Sequence, residues 1–482
     1  MIFASPTFLF LFLPIFLVLY YLAGKNLKSP VISIGSSVFY AWWRLDFLFM
    51  LYAIIGFSWL CALLIEKYHE THYRRALWLL RGGVAANLLT LGYFKYFNFG
   101  VHSFNDMMMD FGVAIPPEYA HVILPIGVSF FVFHAISYIV DVWRKDTPAT
   151  RNLFDFAAFI MLFPHLIAGP VLKYKDLVWQ FTNRKHSLDL FSEGAYRFMA
   201  GFAKKVLIAD TVAPLADAAF ALENPTMADA WLGTVAYSIQ LFFDFAGYSE
   251  MAVGLALMMG FRFIENFNNP YTSTSITDFW RRWHISLSTW LRDYLYISLG
   301  GSRKGNVRTY INLFLTMLLG GLWHGANWTF ILWGAWHGAI LAVERALGIK
   351  GTAPKNILKR IFMTLLTLVF VMIGWVLFRA HTLGDAIVMY QGMAGLQGIG
   401  ISDALGWQVK GMQIVALIGG IALIFTMPYF ERGRTPVELS KGSSAMKTTP
   451  NLLMQAVVGG LFVIAVSRLL AMSYSPFLYF QF

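Results

Sequence analysis

Uninterrupted apolar runs about as long as a bilayer is thick recur along nearly the whole of this chain. A helix needs roughly 20 such residues to cross the hydrocarbon core, and residues 5–24 already supply them. Strands of a membrane barrel would alternate in polarity, whereas these runs are continuous. Of the 482 residues, 58% are hydrophobic and 13% are charged, about half the charged share of a soluble protein. This balance excludes an ordinary soluble enzyme and a disordered or fibrous chain. The chain reads as an all-α polytopic membrane protein.

The net charge of +11 sits in short loops and fits the positive-inside bias better than nucleic-acid binding. The first run has no basic residue before it and no cleavage site, and Lys25 and Lys28 follow it. It is expected to stay as a first span with its N-terminus outside. Lysines and arginines place 67–81, 144–151, 262–308, 350–360 and 431–447 in the cytoplasm. The loops at 97–120, 213–229 and 380–410 face out and are candidate docking surfaces, and the tail SPFLYFQF ends outside. About ten full transmembrane helices follow, near 5–24, 30–43, 46–65, 77–96, 119–141, 190–212, 231–260, 356–378, 411–430 and 451–472. Apolar residues 153–172 and 311–347 each lie between two cytoplasmic loops. Each is therefore expected to be re-entrant or a pair of helices, and non-helical backbone at membrane depth has to be buried in protein or line a wet cavity. The expected organisation is one membrane domain, 1–482, with a basic cytoplasmic segment at 262–308 and a re-entrant hairpin at 311–347. The single cysteine, Cys61, lies in an apolar run. It permits no intramolecular disulfide and no cysteine metal cage, and reads as a structural thiol.

An ionisable residue inside a membrane is costly and points to function. His324 is the strongest case: apolar residues flank it, and Gly320, Gly321 and Gly325 surround it in GGLWHGANW. A rise of about 1.5 Å per residue from 311 would carry it roughly 20 Å into the membrane. Trp323 and Asn327 would line the same turn. The competing reading is a core histidine bound to a carbonyl. That reading is favoured for His337, which repeats WHG, and weighs equally with tunnel lining for His165 in FPHLIAGP.

In TDFWRRWHISLSTWLRDYLY, a helical reading puts His284, Ser288 and Arg292 on one face and Trp280, Trp283, Leu287, Leu291 and Tyr294 on another. That describes an amphipathic helix at the membrane interface. Arg281, Arg282 and Arg292 offer planar donor forks for anions, either donor phosphates or lipid headgroups. In LFFDFAGYSEMAVG, Asp244 and Tyr248 share a helix face, as structural glue or as a wet wall.

Two histidines at different depths suit proton transfer near neutral pH. The chain carries no GxSxG, Walker, HExxH or dinucleotide motif. Acyl transfer from a thioester asks for little more than a base, oxyanion donors and a dry site.

GGLWHGANW, RRWHISLSTWLRDYLY, FFDFAGYSEMAVG and PHLIAGPVLKY together resemble the membrane-bound O-acyltransferase (MBOAT) family, over the whole chain. The likeness is strongest to its bacterial exopolysaccharide branch, which acetylates alginate. The resemblance implies that His324 is the essential residue and that His284 is its upstream polar partner, a position where many members carry Asn or Asp. It implies a helical bundle around a transmembrane tunnel, with no bound cofactor. Acetyl-CoA would be the donor substrate, entering from the cytoplasm, and separate periplasmic acetyltransferase-like proteins would finish the transfer. Localisation in the bacterial inner membrane follows. The alternatives are acetylation of cellulose or of another polymer or lipid by the same chemistry and, from another class, a polymer or lipid transporter. A transporter often shows internal repeats; only the WHG echo occurs here.

Overall fold

A computed structural model describes residues 1–113, 121–430 and 452–471. The basic loop at 431–447, the tail SPFLYFQF and the end of the 97–120 loop with Glu118 lie outside the described residues. Among the described residues the chain is helical and has no strand. It divides into two compact units, the first made of Met1–Ile2 and Thr7–His186 and the second of Phe3–Pro6 and Ser187 onward.

In the first unit, α1 (Asp46–Tyr68), α2 (Tyr73–Asp110) and α3 (Val128–Trp143) pack together. Cys61 is buried there, and its thiol donates to the Leu79 carbonyl at 3.2 Å. Helix α2 continues through residues 97–110, so the acidic stretch expected as loop is largely the last turns of a helix. Residues 153–172 form two short helices, Leu153–Met161 and Phe163–Leu166, broken at Leu162, whose backbone is not helical.

The second unit is built on α5 (Met227–Met258), whose N-terminus carries a capping box between Thr226 and Asp229. Helix α4 (Leu188–Ala203) lies against it so closely that a Cβ on Gly201 would stand 2.5 Å from the Gly247 carbonyl oxygen. Small residues at a helix contact permit this approach. After α4 the chain widens to π-helix over Lys204–Ala209, then runs helical through Asp210–Phe220, so the acidic Asp217 is helical too. The site is carried by α6 (Ile276–Arg282), α7 (Ile285–Trp290), α8 (Gly305–His324) and α9 (Trp328–Ala346), with α10 (Ile357–Arg379) alongside α9. Helices α11 (Gly411–Phe430) and α12 (Leu452–Ala471) complete the unit. The stretch 380–410 holds helices Leu383–Met393 and Asp403–Gly406.

Among the described residues, five helices are long and apolar enough to cross a membrane: α1, α5, α10, α11 and α12. The other apolar segments are shorter, interrupted or more polar.

Candidate active site

Helices α8 and α9 form an antiparallel hairpin whose two backbones touch. A Cβ on Gly334 would lie 2.5 Å from the Met317 carbonyl oxygen and 3.2 Å from the Gly321 Cα. Only glycine lets two helices meet this closely. Helix α8 stops at His324 because Gly325 is fully extended, and α9 restarts where the Asn327 side chain accepts from the Thr329 N–H at 3.1 Å. His324 therefore occupies the turn. Its imidazole is 6% exposed and lies among rings, with centroids 4.9 Å from Trp323, 5.1 Å from Trp333 and 5.2 Å from Phe378.

His284 is not inside a helix. Its backbone is left-handed, φ 45° and ψ 55°, and breaks the chain between α6 and α7. The single helix expected through RRWHISLSTW, with His284, Ser288 and Arg292 on one face, is thus corrected. The break exists because Asn266 captures the strand of chain around it. Its carbonyl accepts from the Ile285 N–H at 2.9 Å, and its Oδ1 accepts from the Ser286 N–H at 3.3 Å and the Ser286 hydroxyl at 2.8 Å. The face read as apolar packs within the protein: Trp283, Leu287, Leu291 and Tyr294 are buried, and Trp283 packs against Trp375 at 5.0 Å.

The His284 ring is wholly buried. It faces Phe245 of α5 at 4.7 Å and Trp323 at 6.4 Å. Trp323 thus contacts both imidazoles. Burial pushes His284, which lies outside the five candidate spans, down to about 3, so the ring is neutral at physiological pH. His337 on α9 is also buried. Its Nδ1 accepts from the Trp280 indole N–H at 3.3 Å, and its ring lies 5.1 Å from Trp333.

The remaining expected residues fall elsewhere. Arg281 donates to the Lys350 carbonyl at 2.8 Å, Arg282 to Asp278 at 2.9 Å and Arg292 to Asp293 at 2.7 Å. The Arg292 side chain is 59% exposed and that of Arg282 is 32% exposed. Asp244 on α5 lies 3.0 Å from the Lys205 ammonium, which also reaches Asp210 at 2.7 Å. Tyr248 stacks on Phe3 of the same unit, 4.5 Å between centroids. The Asn327 Nδ2 donates to the His381 carbonyl at 2.7 Å. His165 belongs to the first unit. There its Nε2 meets the Phe159 carbonyl at 2.8 Å, and its ring packs on His134 at 4.5 Å.

Two imidazoles flank one indole, one of them at a glycine-lined helical turn, and aromatic rings surround both. Residues 129–380 match the MBOAT, membrane-bound O-acyltransferase, family. The chain belongs to the membrane-bound O-acyltransferase family. Both imidazoles, Asn266 and the α8–α9 hairpin lie within the matched residues. A protein of Pseudomonas putida named "Probable alginate O-acetylase AlgI" is 53% identical over 100% of both chains. One of the same name from Pseudomonas aeruginosa is 50% identical, again over 100% of both. A "Peptidoglycan O-acetyltransferase" of Helicobacter pylori is 35% identical, covering 83% of this chain and 81% of its own. As an MBOAT protein the chain is a membrane-embedded acyltransferase.

Sequence reasoning missed Asn266, Lys205 and Glu344, whose carboxylate accepts the Ile276 and Thr277 N–H groups at the start of α6. Lys205 carried a visible signal, a lysine within the apolar AGFAKKVLIAD. Asn266 carried none, because an asparagine in ENFNNP reads as a turn residue.

Proposed function

We propose that this chain is a bacterial inner-membrane O-acetyltransferase that carries acetyl groups from cytoplasmic acetyl-CoA across the membrane for O-acetylation of alginate. The observation that carries the chemistry is the seating of His324 at the hairpin turn, with Trp323 between it and His284. The match of entire chains to proteins named for alginate O-acetylation supports the polymer.

In this reading His324 is the general base. It takes the proton of the acceptor hydroxyl as that oxygen bonds to the acetyl carbon. The carbon–sulfur bond breaks, and the CoA thiolate leaves with the proton. His284 serves the donor side. Arg281, Arg282 and Arg292 hold the CoA phosphates, and Arg281 and Arg292 are exposed. Trp323 and Asn327, with Asp244 and Tyr248, belong to the walls of a tunnel through about ten crossings. Periplasmic acetyltransferase-like proteins receive the acetyl group.

The test uses the full chain in vesicles with labelled acetyl-CoA and an acceptor protein. Wild type should release CoA, and His324→Ala should lose at least about 100-fold while melting as wild type does. A folded, active His324→Ala protein would overturn the role. Identifying the acetylated polymer from a producing strain separates alginate from cellulose. Transport of polymer without CoA release would sink the enzyme reading.

A further inference from the structure

We infer that Asn266 is a positioning residue of the transfer site, fixing His284 in one tautomer whose Nε2 is a hydrogen-bond acceptor only. The inference rests on the acyl-transfer reading for its purpose, and on hydrogen bonds alone for its geometry.

The Asn266 amide has one possible orientation. Its Oδ1 receives a backbone N–H from Ser286 at 3.3 Å and the Ser286 hydroxyl at 2.8 Å. Its Nδ2 donates to the Ser249 hydroxyl of α5 at 3.0 Å. A backbone N–H is always a donor, so the atom it meets is oxygen. The same Oδ1 lies 3.1 Å from Nδ1 of His284. The Ser286 hydroxyl also lies 3.4 Å from Nδ1, but its single hydrogen goes to Oδ1 at 2.8 Å, so Nδ1 carries the proton and donates to Oδ1. In a neutral imidazole the other nitrogen is then a bare lone pair. Among the described residues, that Nε2 is buried with no hydrogen-bond partner. An unpaired buried acceptor is costly, and a substrate or a neighbouring N–H that satisfies it recovers the loss.

His337 provides the contrast. There Trp280 donates to Nδ1, so the proton sits on Nε2. The two buried rings are held in opposite tautomers by the partners of their Nδ1 atoms. With no hydrogen on Nε2, His284 cannot steady a thiolate by donating to it. It can accept from an O–H or N–H group.

The experiment compares wild type, Asn266→Ala, Asn266→Asp and His284→Asn as full chains in liposomes. Solid-state nitrogen NMR on histidine-labelled protein reads the tautomer, with His284→Asn assigning the signal. CoA release from acetyl-CoA reads turnover. Wild type should show His284 protonated at Nδ1. Asn266→Ala should lose that signature and roughly 10–100-fold in kcat, by analogy with other orienting partners of histidine, with the KM for acetyl-CoA little changed. Asn266→Asp keeps an acceptor for Nδ1–H and should restore both. A wild-type His284 protonated at Nε2, or an Asn266→Ala protein with wild-type kcat, would overturn the inference. If wild type releases no CoA, the transfer reading falls instead, and the spectrum still decides the tautomer.

Discussion

Glu344 gives one carboxylate oxygen to both donors of Thr277: Oε2 accepts the Thr277 N–H at 2.8 Å and its hydroxyl at 2.6 Å. The second oxygen accepts the Ile276 N–H at 2.7 Å. A carboxylate at a helix N-terminus satisfies donors that have no partner within the helix. Glu344 belongs to α9, so the returning arm of the hairpin anchors the start of the helix that ends beside His284. Glu344→Ala leaves these donors without their acceptor and should cost about 1–3 kcal/mol. It should also lower turnover, since the His284 turn follows from α6. Glu344→Gln should be milder. Melting in detergent with CoA release checks both.

The pH dependence of stability should carry the mark of His284. Its folded value of about 3 lies below the ordinary value of about 6.5. Between the two, the unfolded chain binds a proton that the folded chain refuses. Stability contributed by the neutral ring is thus complete above about pH 6.5 and is lost as pH falls towards 3, at about 1 kcal/mol per unit. His284→Asn keeps a residue that tolerates the left-handed backbone and should lack this slope. Melting curves from about pH 7.5 to about pH 4.5 compare the two proteins.

Gly334→Ala should separate the hairpin arms, because the added carbon meets the Met317 carbonyl at 2.5 Å and the Leu318 Cα at 3.0 Å. Backbone atoms cannot rotate out of the way, so overpacking should cost about 1–3 kcal/mol and displace His324. Gly92→Ala, on α2 with nothing within 4 Å, is the control and should be neutral or gain up to about 1 kcal/mol. Equal melting temperatures for Gly334→Ala and wild type would contradict the contact.

Lys205 faces Asp210 and Asp244 and is 1% exposed. The π-helical turn that contains it brings residues five apart onto one side, which aligns Lys205 with Asp210. Lys205→Met leaves two buried carboxylates facing an apolar side chain and should cost about 3–5 kcal/mol. Adding Asp244→Asn should recover part of that loss. If the double variant melts no higher than the single one, the Lys205–Asp244 bond contributes nothing.

Much of this was legible in the residues and some was not. The glycines around His324 announced a break in an apolar run, and a break there places a turn. The tryptophans beside the histidines were equally visible. The backbone at His284 was hidden, because ISLSTWLRDYLY has a helical pattern and the interruption comes from Asn266, 18 residues earlier. Local spacing cannot report a hydrogen bond to a distant side chain. The same limit applied to the arginines. Their charge was plain, but Asp278, Asp293 and the Lys350 carbonyl already hold part of each guanidinium. Glu344 was hidden for the same reason: its partners, Ile276 and Thr277, lie 68 and 67 residues earlier.

The hairpin's main-chain contact frees its surroundings. Because Gly334 seats directly on the opposing arm, the height of the His324 ring is set by peptide geometry rather than by the fit of bulky groups. Apolar residues such as Leu319, Trp328 and Leu332, all exposed, can therefore be exchanged for others of different size without retuning the imidazole that the turn carries.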